Sequence, residues 1–163
     1  MKPSITKTIF LLFYCSIIST FTMAQTKVYK GTSTYTSDII CTLADGKVYK
    51  KTSTYTSDIL CHIKGNKIYK ETSDYTSDVI YTISDGKVFK GTSTYNSDIL
   101  WTINDGKVYK GTSTYASDVI ATIKDGKVFK ENSTYTSDIM FTIDGLATIE
   151  EFVAIWHAVN YVY

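Results

Sequence analysis

The side chains in this sequence best suited to chemistry come as a set that occurs six times. Ser33, Tyr35, Ser37 and Asp38 recur without change at a twenty-residue spacing. The tyrosines are Tyr35, Tyr55, Tyr75, Tyr95, Tyr115 and Tyr135, and the carboxylates are Asp38, Asp58, Asp78, Asp98, Asp118 and Asp138. One use of such a set is structural. Ser and Asp bond nearby backbone amides and shape a turn, and Tyr packs its ring over the sheet edge with its hydroxyl held by a polar partner. The other use is an array of Tyr, Ser and Asp that binds a repeated ligand such as a glycan. Calcium is poorly served, since one carboxylate per unit is thin for a cation that takes six or more oxygens.

A second set changes from copy to copy. At one position the chain carries Cys41, Cys61, Tyr81, Trp101, Ala121 and Phe141. A uniformly packed interior tolerates such volume changes poorly, so a wide centre, an end-piece or a surface is needed to absorb them. This column is where the copies have specialised. His62 and His157 are the only histidines, and neither lies beside a motif supplying a nucleophile or a paired acid and base. The carboxylates recur too regularly to mark one active centre. No catalytic residue, cofactor or metal site is expected, and a small secreted hydrolase is the least favoured reading.

The elements that must position these residues follow from the repeat. The copies span 27–46, 47–66, 67–86, 87–106, 107–126 and 127–145, the last one residue short. Fixed-period similarity marks a repeat architecture in which each unit buries its apolar face on its neighbours. Asp45-Gly46, Asp85-Gly86, Asp105-Gly106 and Asp125-Gly126 predict tight hairpin turns. Gly65-Asn66 serves in the second copy, and Asp144-Gly145 arrives one place early in the last. Before the turn, alternation places Ile39, Cys41 and Leu43 on one strand face and Ile40 and Thr42 on the other. Both faces are apolar at their centre, which predicts a strand covered on both sides. After the turn, Val48 and Tyr49 point opposite ways between lysines. Each copy thus supplies two short strands, and the pattern lacks a helical period. Successive hairpins place equivalent positions about 10 Å apart, at twice the strand spacing. That is too far for a disulfide, whereas stacked β-solenoid coils about 4.8 Å apart would permit one; Cys41 and Cys61 free and packed is the favoured reading.

Both ends differ. Lys2 and Lys7 precede the mostly apolar Ile9–Ile18, and Thr22-Met23-Ala24 forms a small-x-small exit. This predicts a secretory signal peptide over residues 1–24, in preference to a membrane anchor. Cys15 follows bulky Phe13 and Tyr14, unlike a lipoprotein site, and would leave with the signal. Residues 25–145 form the β domain. In residues 146–163, Thr148 and Glu151 make a capping box, and Phe152, Ile155, Trp156 and Val159 fall at helical spacing, widened by Val153, Val162 and Tyr163. A helix from about Glu150 to Tyr161 is expected, too short to span a bilayer. It would pack on the β domain as a cap, or insert at a partner or membrane surface. After Ala24 the chain has 15 Lys, no Arg and 16 acidic residues. A net charge near −1 without guanidinium groups gives no reason to expect nucleic acid as a partner.

The rhythm of Val-Tyr, connector, apolar strand and Asp-Gly, with a terminal helix after it, resembles the 4-fold beta flower proteins over about Lys27 to Tyr163. The resemblance implies short β-units about a pseudo-symmetry axis and carries over no catalytic residue. Six units depart from fourfold symmetry, so extra units, a different closure or an open array is required. The rhythm is also similar to choline-binding repeats, but those build cages from paired aromatics, and Trp101 stands alone here. The expected fold is an all-β repeat protein of six two-stranded hairpin units of about 20 residues, closed about a pseudo-symmetry axis like a propeller or barrel, with a C-terminal capping helix. The expected role is a non-catalytic exported module, periplasmic, cell-surface or secreted, that binds or builds at the cell envelope. Its partner would be a glycan or an envelope protein; the alternative is a lectin-like protein using the Tyr/Ser/Asp surface. The tyrosines should form one regular row or ring. Oligomeric state is left open.

Overall fold

The computed structural model describes residues 25–162. The signal peptide expected over 1–24, with Cys15, and the terminal Tyr163 lie outside the described residues.

Twelve antiparallel strands close into a single barrel. In chain order they are β1 (Thr26–Lys30), β2 (Ile39–Ala44), β3 (Lys47–Lys50), β4 (Ile59–Lys64), β5 (Lys67–Lys70) and β6 (Val79–Ser84). They continue as β7 (Lys87–Lys90), β8 (Ile99–Asn104), β9 (Lys107–Lys110), β10 (Val119–Lys124), β11 (Lys127–Lys130) and β12 (Ile139–Asp144). The Asp-Gly pairs make the hairpin turns as expected. Asp45 and Gly46 both take positive φ, 50° and 68°, which the turn demands and Asp and Gly tolerate. Gly46 also passes its carbonyl to the Ile63 amide of the next unit, at 2.7 Å.

The ring is sealed by the first strand. β1 pairs with β12 through Val28–Ile143, Tyr29–Thr142 and Lys30–Phe141. This is the register that β3 takes on β2 through Val48–Leu43, Tyr49–Thr42 and Lys50–Cys41. The sixth hairpin is therefore built from both ends of the chain. Asp144-Gly145 is not a hairpin turn, as the sequence rhythm suggests. It is where the chain leaves the sheet, and Gly145 has a φ of 132° unlike any other glycine here. Closure leaves no strand edge to aggregate.

Strand alternation fails at one point in each unit. Between units the register shifts, so that Val48 faces Cys61 but Tyr49 faces Ile59. The extra residue, Leu60, is a β-bulge. The bulge turns Ile59 outward with Tyr49 and leaves Cys61 inward with Val48. Ile39 and Cys41 likewise occupy opposite faces instead of sharing one, with Ile40 as the bulged residue. The interior cluster accordingly contains Cys41, Leu43 and Val48, with Ile40 packed against it and Ile39 absent from it. Ile39 is nevertheless 3% exposed, being held in the outer layer.

The terminal helix α1 (Ile149–His157) is followed by a π-turn over Ala158–Val162. The capping box is present: Glu151 N donates to Thr148 Oγ1 and Thr148 N donates to Glu151 Oε2. The helix goes further in than a lid over one end. Phe152, Val153, Ala154, Ile155 and Trp156 are consecutive and all buried, so every side of the helix is covered. Twelve strands at about 4.8 Å spacing make a wall of at least roughly 9 Å radius at the Cα atoms. A helix of about 10–12 Å diameter fits inside it. α1 fills the lumen.

Candidate functional site

The outer surface carries the invariant set. After each odd strand a connector runs through a short 3₁₀ turn, such as Thr36–Asp38, into the next even strand. Within it Ser33 Oγ donates to Asp38 Oδ2 at 2.5 Å, and the Tyr35 amide donates to Ser33 Oγ at 3.2 Å. The same pair of bonds recurs in all six units: Ser53–Asp58, Ser73–Asp78, Ser93–Asp98, Ser113–Asp118 and Ser133–Asp138, each with its tyrosine amide. Asp38 and its equivalents thus shape the connector, as the structural use of the set requires. A threonine ties the connector to the wall, as in Thr42 Oγ1 to Lys51 O at 2.7 Å.

The tyrosines do not follow the structural use. Tyr35, Tyr55, Tyr75, Tyr95, Tyr115 and Tyr135 are 74–76% exposed, not packed over a sheet edge. Their backbones share one conformation, with φ from −76° to −82° and ψ from 139° to 141°. On a closed barrel this is a regular ring of six outward rings, the arrangement the repeat predicts.

The variable column lies inside. Cys41, Cys61, Tyr81, Trp101, Ala121 and Phe141 are all buried and belong to the cluster around α1. The helix backbone runs nearest β2, β4 and β5, on the side where the column is Cys41 and Cys61. Cys61 Sγ lies 3.6 Å from Ala154 O. Both thiols are free, and burial pushes each up to about 12, which makes them inert. Large residues fill the far side. Trp156 packs 6.4 Å from Trp101 and 6.3 Å from Phe141 between ring centres. These flank the unit whose column residue is Ala121, the smallest of the column and buried in the same cluster as Trp156. The Trp156 indole Nε1 is buried and has no hydrogen-bond partner among the described residues.

The histidines serve packing. His62 stands where other copies have Thr, and its Nδ1 donates to Glu71 O at 2.7 Å, replacing the threonine tie. Its Nε2 lies 3.5 Å from Asp74, which Lys64 also holds at 2.9 Å. Lys64, by hydrogen bond and charge, lowers the Asp74 pKa. His157 Nδ1 meets Tyr81 Oη at 3.1 Å. His157 and Trp101 each stack on Tyr161. Burial lowers the His157 pKa and raises that of Tyr81. Among the described residues no three His, Cys, Asp or Glu side chains group to hold a metal. The six Ser–Asp pairings shape connectors, and the His157–Tyr81 pairing belongs to the core. No described helix is long and apolar enough to cross a membrane.

Sequence reasoning missed two features. The bulge that reverses Ile39 has no sequence mark beyond the unbroken apolar pair Ile39-Ile40. The left-handed position after each odd strand carries Gly31, Gly91 and Gly111 but Lys51, Glu71 and Glu131 in the other units. Three glycines at one repeat position were the available signal.

The model of the family described as 6-fold beta flower protein matches residues 14–104 and 85–157. This corrects the 4-fold resemblance. The β-units and pseudo-symmetry axis carry over, but six units close the ring without extra units or an open array. No curated protein and no solved structure matches.

Proposed function

Because the chain belongs to the 6-fold beta flower protein family, we propose that it is a non-catalytic exported module that binds at the cell envelope through its ring of tyrosines. The observation that carries this is the common exposure of six tyrosines in one backbone conformation. A tyrosine kept for folding would bury its ring; six exposed rings are spared that role. The helix α1 fills most of the lumen, and the exposed tyrosines lie outside it.

The ligand class best suited to the ring is a glycan with repeating units. Exposed aromatic faces stack on the apolar faces of sugars, and the neighbouring connector hydroxyls and amides offer hydrogen bonds. Six equivalent sites around one barrel would add avidity to weak individual contacts when the ligand spans more than one of them. Export rests on the N-terminal residues Lys2, Lys7, Ile9–Ile18 and Thr22-Met23-Ala24.

The test is a glycan array probed with residues 25–163 and with a variant carrying serine at all six tyrosines. Binding by the first and at least tenfold weaker binding by the second is expected. An array without signal discards the glycan, and equal binding by both proteins discards the tyrosine ring. Fractionation of cells expressing the full chain tests export, with recovery only inside the cytoplasm as the opposing outcome.

A further inference from the structure

α1 has no sixfold symmetry, and it does not fill a sixfold lumen evenly. It leans toward β2, β4 and β5. Opposite, at the end of the barrel where the hairpin turns lie, a cleft of about 420 Å³ remains open. Its apolar walls are Ile103, Ile123, Ile143 and Phe152, with Leu146 and Ile149 at the rim. At this repeat position Leu43, Ile83 and Ile143 are buried and Ile63, Ile103 and Ile123 half-buried; Ile103, Ile123 and Ile143 line the cleft. Leu146 is 98% exposed.

The walls are preformed. A Cβ on Gly106 or Gly126 would come within 2.7 or 2.8 Å of the next unit's Ile123 or Ile143 carbonyl, so the turns beside the cleft are seated tightly on their neighbours. The charge is one-sided. Among the described residues that line the cleft, Asp105 alone is charged. Lys107 is in register with Asn104, on the outer face with the Thr102–Tyr109 pair. The positive end of α1 is offset by its own Glu150 and Glu151 and by the capping box. The volume is at the lower end of the range of small-molecule sites, which are mostly apolar with a few polar groups.

We propose that this cleft binds a small amphiphile, its apolar body against Ile103, Ile123 and Phe152 and a cationic head at Asp105. An anionic head would face the Asp105 carboxylate without a compensating cation. The site is separate from the tyrosine ring and stands or falls independently of it.

The test uses residues 25–163 with decyltrimethylammonium and decyl sulfate, both below micelle-forming concentration, followed by calorimetry and tryptophan fluorescence. Phe152 packs 5.8 Å from Trp156, so filling the cleft should change the indole signal. One saturable site for decyltrimethylammonium is expected, with decyl sulfate at least tenfold weaker. Asp105→Asn should reduce that preference at least threefold; Asn tolerates the positive φ of this position. Ile123→Trp should block the cleft, and Leu146→Ser, at a fully solvated position, should weaken binding about threefold without disturbing the fold. The variant with serine at all six tyrosines should bind as the parent does. Absence of saturable binding overturns the site, as does binding that both Ile123→Trp and Leu146→Ser leave unchanged. Equal affinity for the two amphiphiles overturns the assignment of the head.

Discussion

The outside of this barrel repeats and the inside does not. Six connectors carry the same Ser–Asp and Ser–Tyr amide bonds, while the six lumen positions range from Ala121 to Trp101. The difference has one cause. The connectors each meet the same local environment, so one solution serves all of them. The lumen positions meet a single off-centre helix, so each faces a different gap. Symmetry of sequence is kept where the surroundings are symmetric and lost where they are not.

The comparison breaks first at the helix. Trp156→Ala should cost about 3–5 kcal/mol in denaturant unfolding, as for other buried aromatics. Trp156→Phe should cost clearly less, since it also removes an indole N–H that has no partner among the described residues. Equal losses would mean that the aromatic packing with Trp101 and Phe141 carries little. Ala121→Trp tests the same cluster from the other side. It should destabilise by about 1–3 kcal/mol through overpacking against Trp156, although tryptophan is the native residue one unit earlier.

The outer layer should respond more mildly. Thr82→Val removes the 2.7 Å bond from Thr82 Oγ1 to Gly91 O and should cost about 1 kcal/mol, as should the same change at Thr42, Thr102, Thr122 or Thr142. Tyr95→Ser should stay within about 0.5 kcal/mol of the parent, as for exposed sites generally. A larger loss would return the tyrosines to a structural role. Glu131→Gly should be neutral or stabilising by up to about 1 kcal/mol, because Glu131 sits at φ 54° where glycine is unstrained.

Protonation separates the two regions as well. Burial holds the folded pKa of His157 below its ordinary 6.5. The unfolded chain therefore binds more protons between those two values, and stability, full above about pH 6.5, declines as pH falls through it. At the alkaline end, Cys41 and Cys61 are raised from 9.0 to about 12. The unfolded thiols ionise first, so stability declines as pH rises from about 9 towards 12. His157→Gln should flatten the acid limb, and Cys41→Ala with Cys61→Ala should shrink the alkaline one, both read from denaturation midpoints across pH.

The repeat, the two strands per unit, the Asp-Gly turns, the capping box and the regular ring of tyrosines were all legible in the sequence. Apart from the closure of the ring, each depends on residues close together in the chain, where residue type and spacing fix the backbone. Whether Ile39 faces in or out was not legible, because a bulge depends on how adjacent units pair. The sealing of β12 by β1, the entry of α1 into the lumen and the cleft beside Ile123 depend on contacts between opposite ends of the chain. Local pattern specifies the unit; only the closed barrel decides what its centre must hold, because one helix cannot match six equivalent walls.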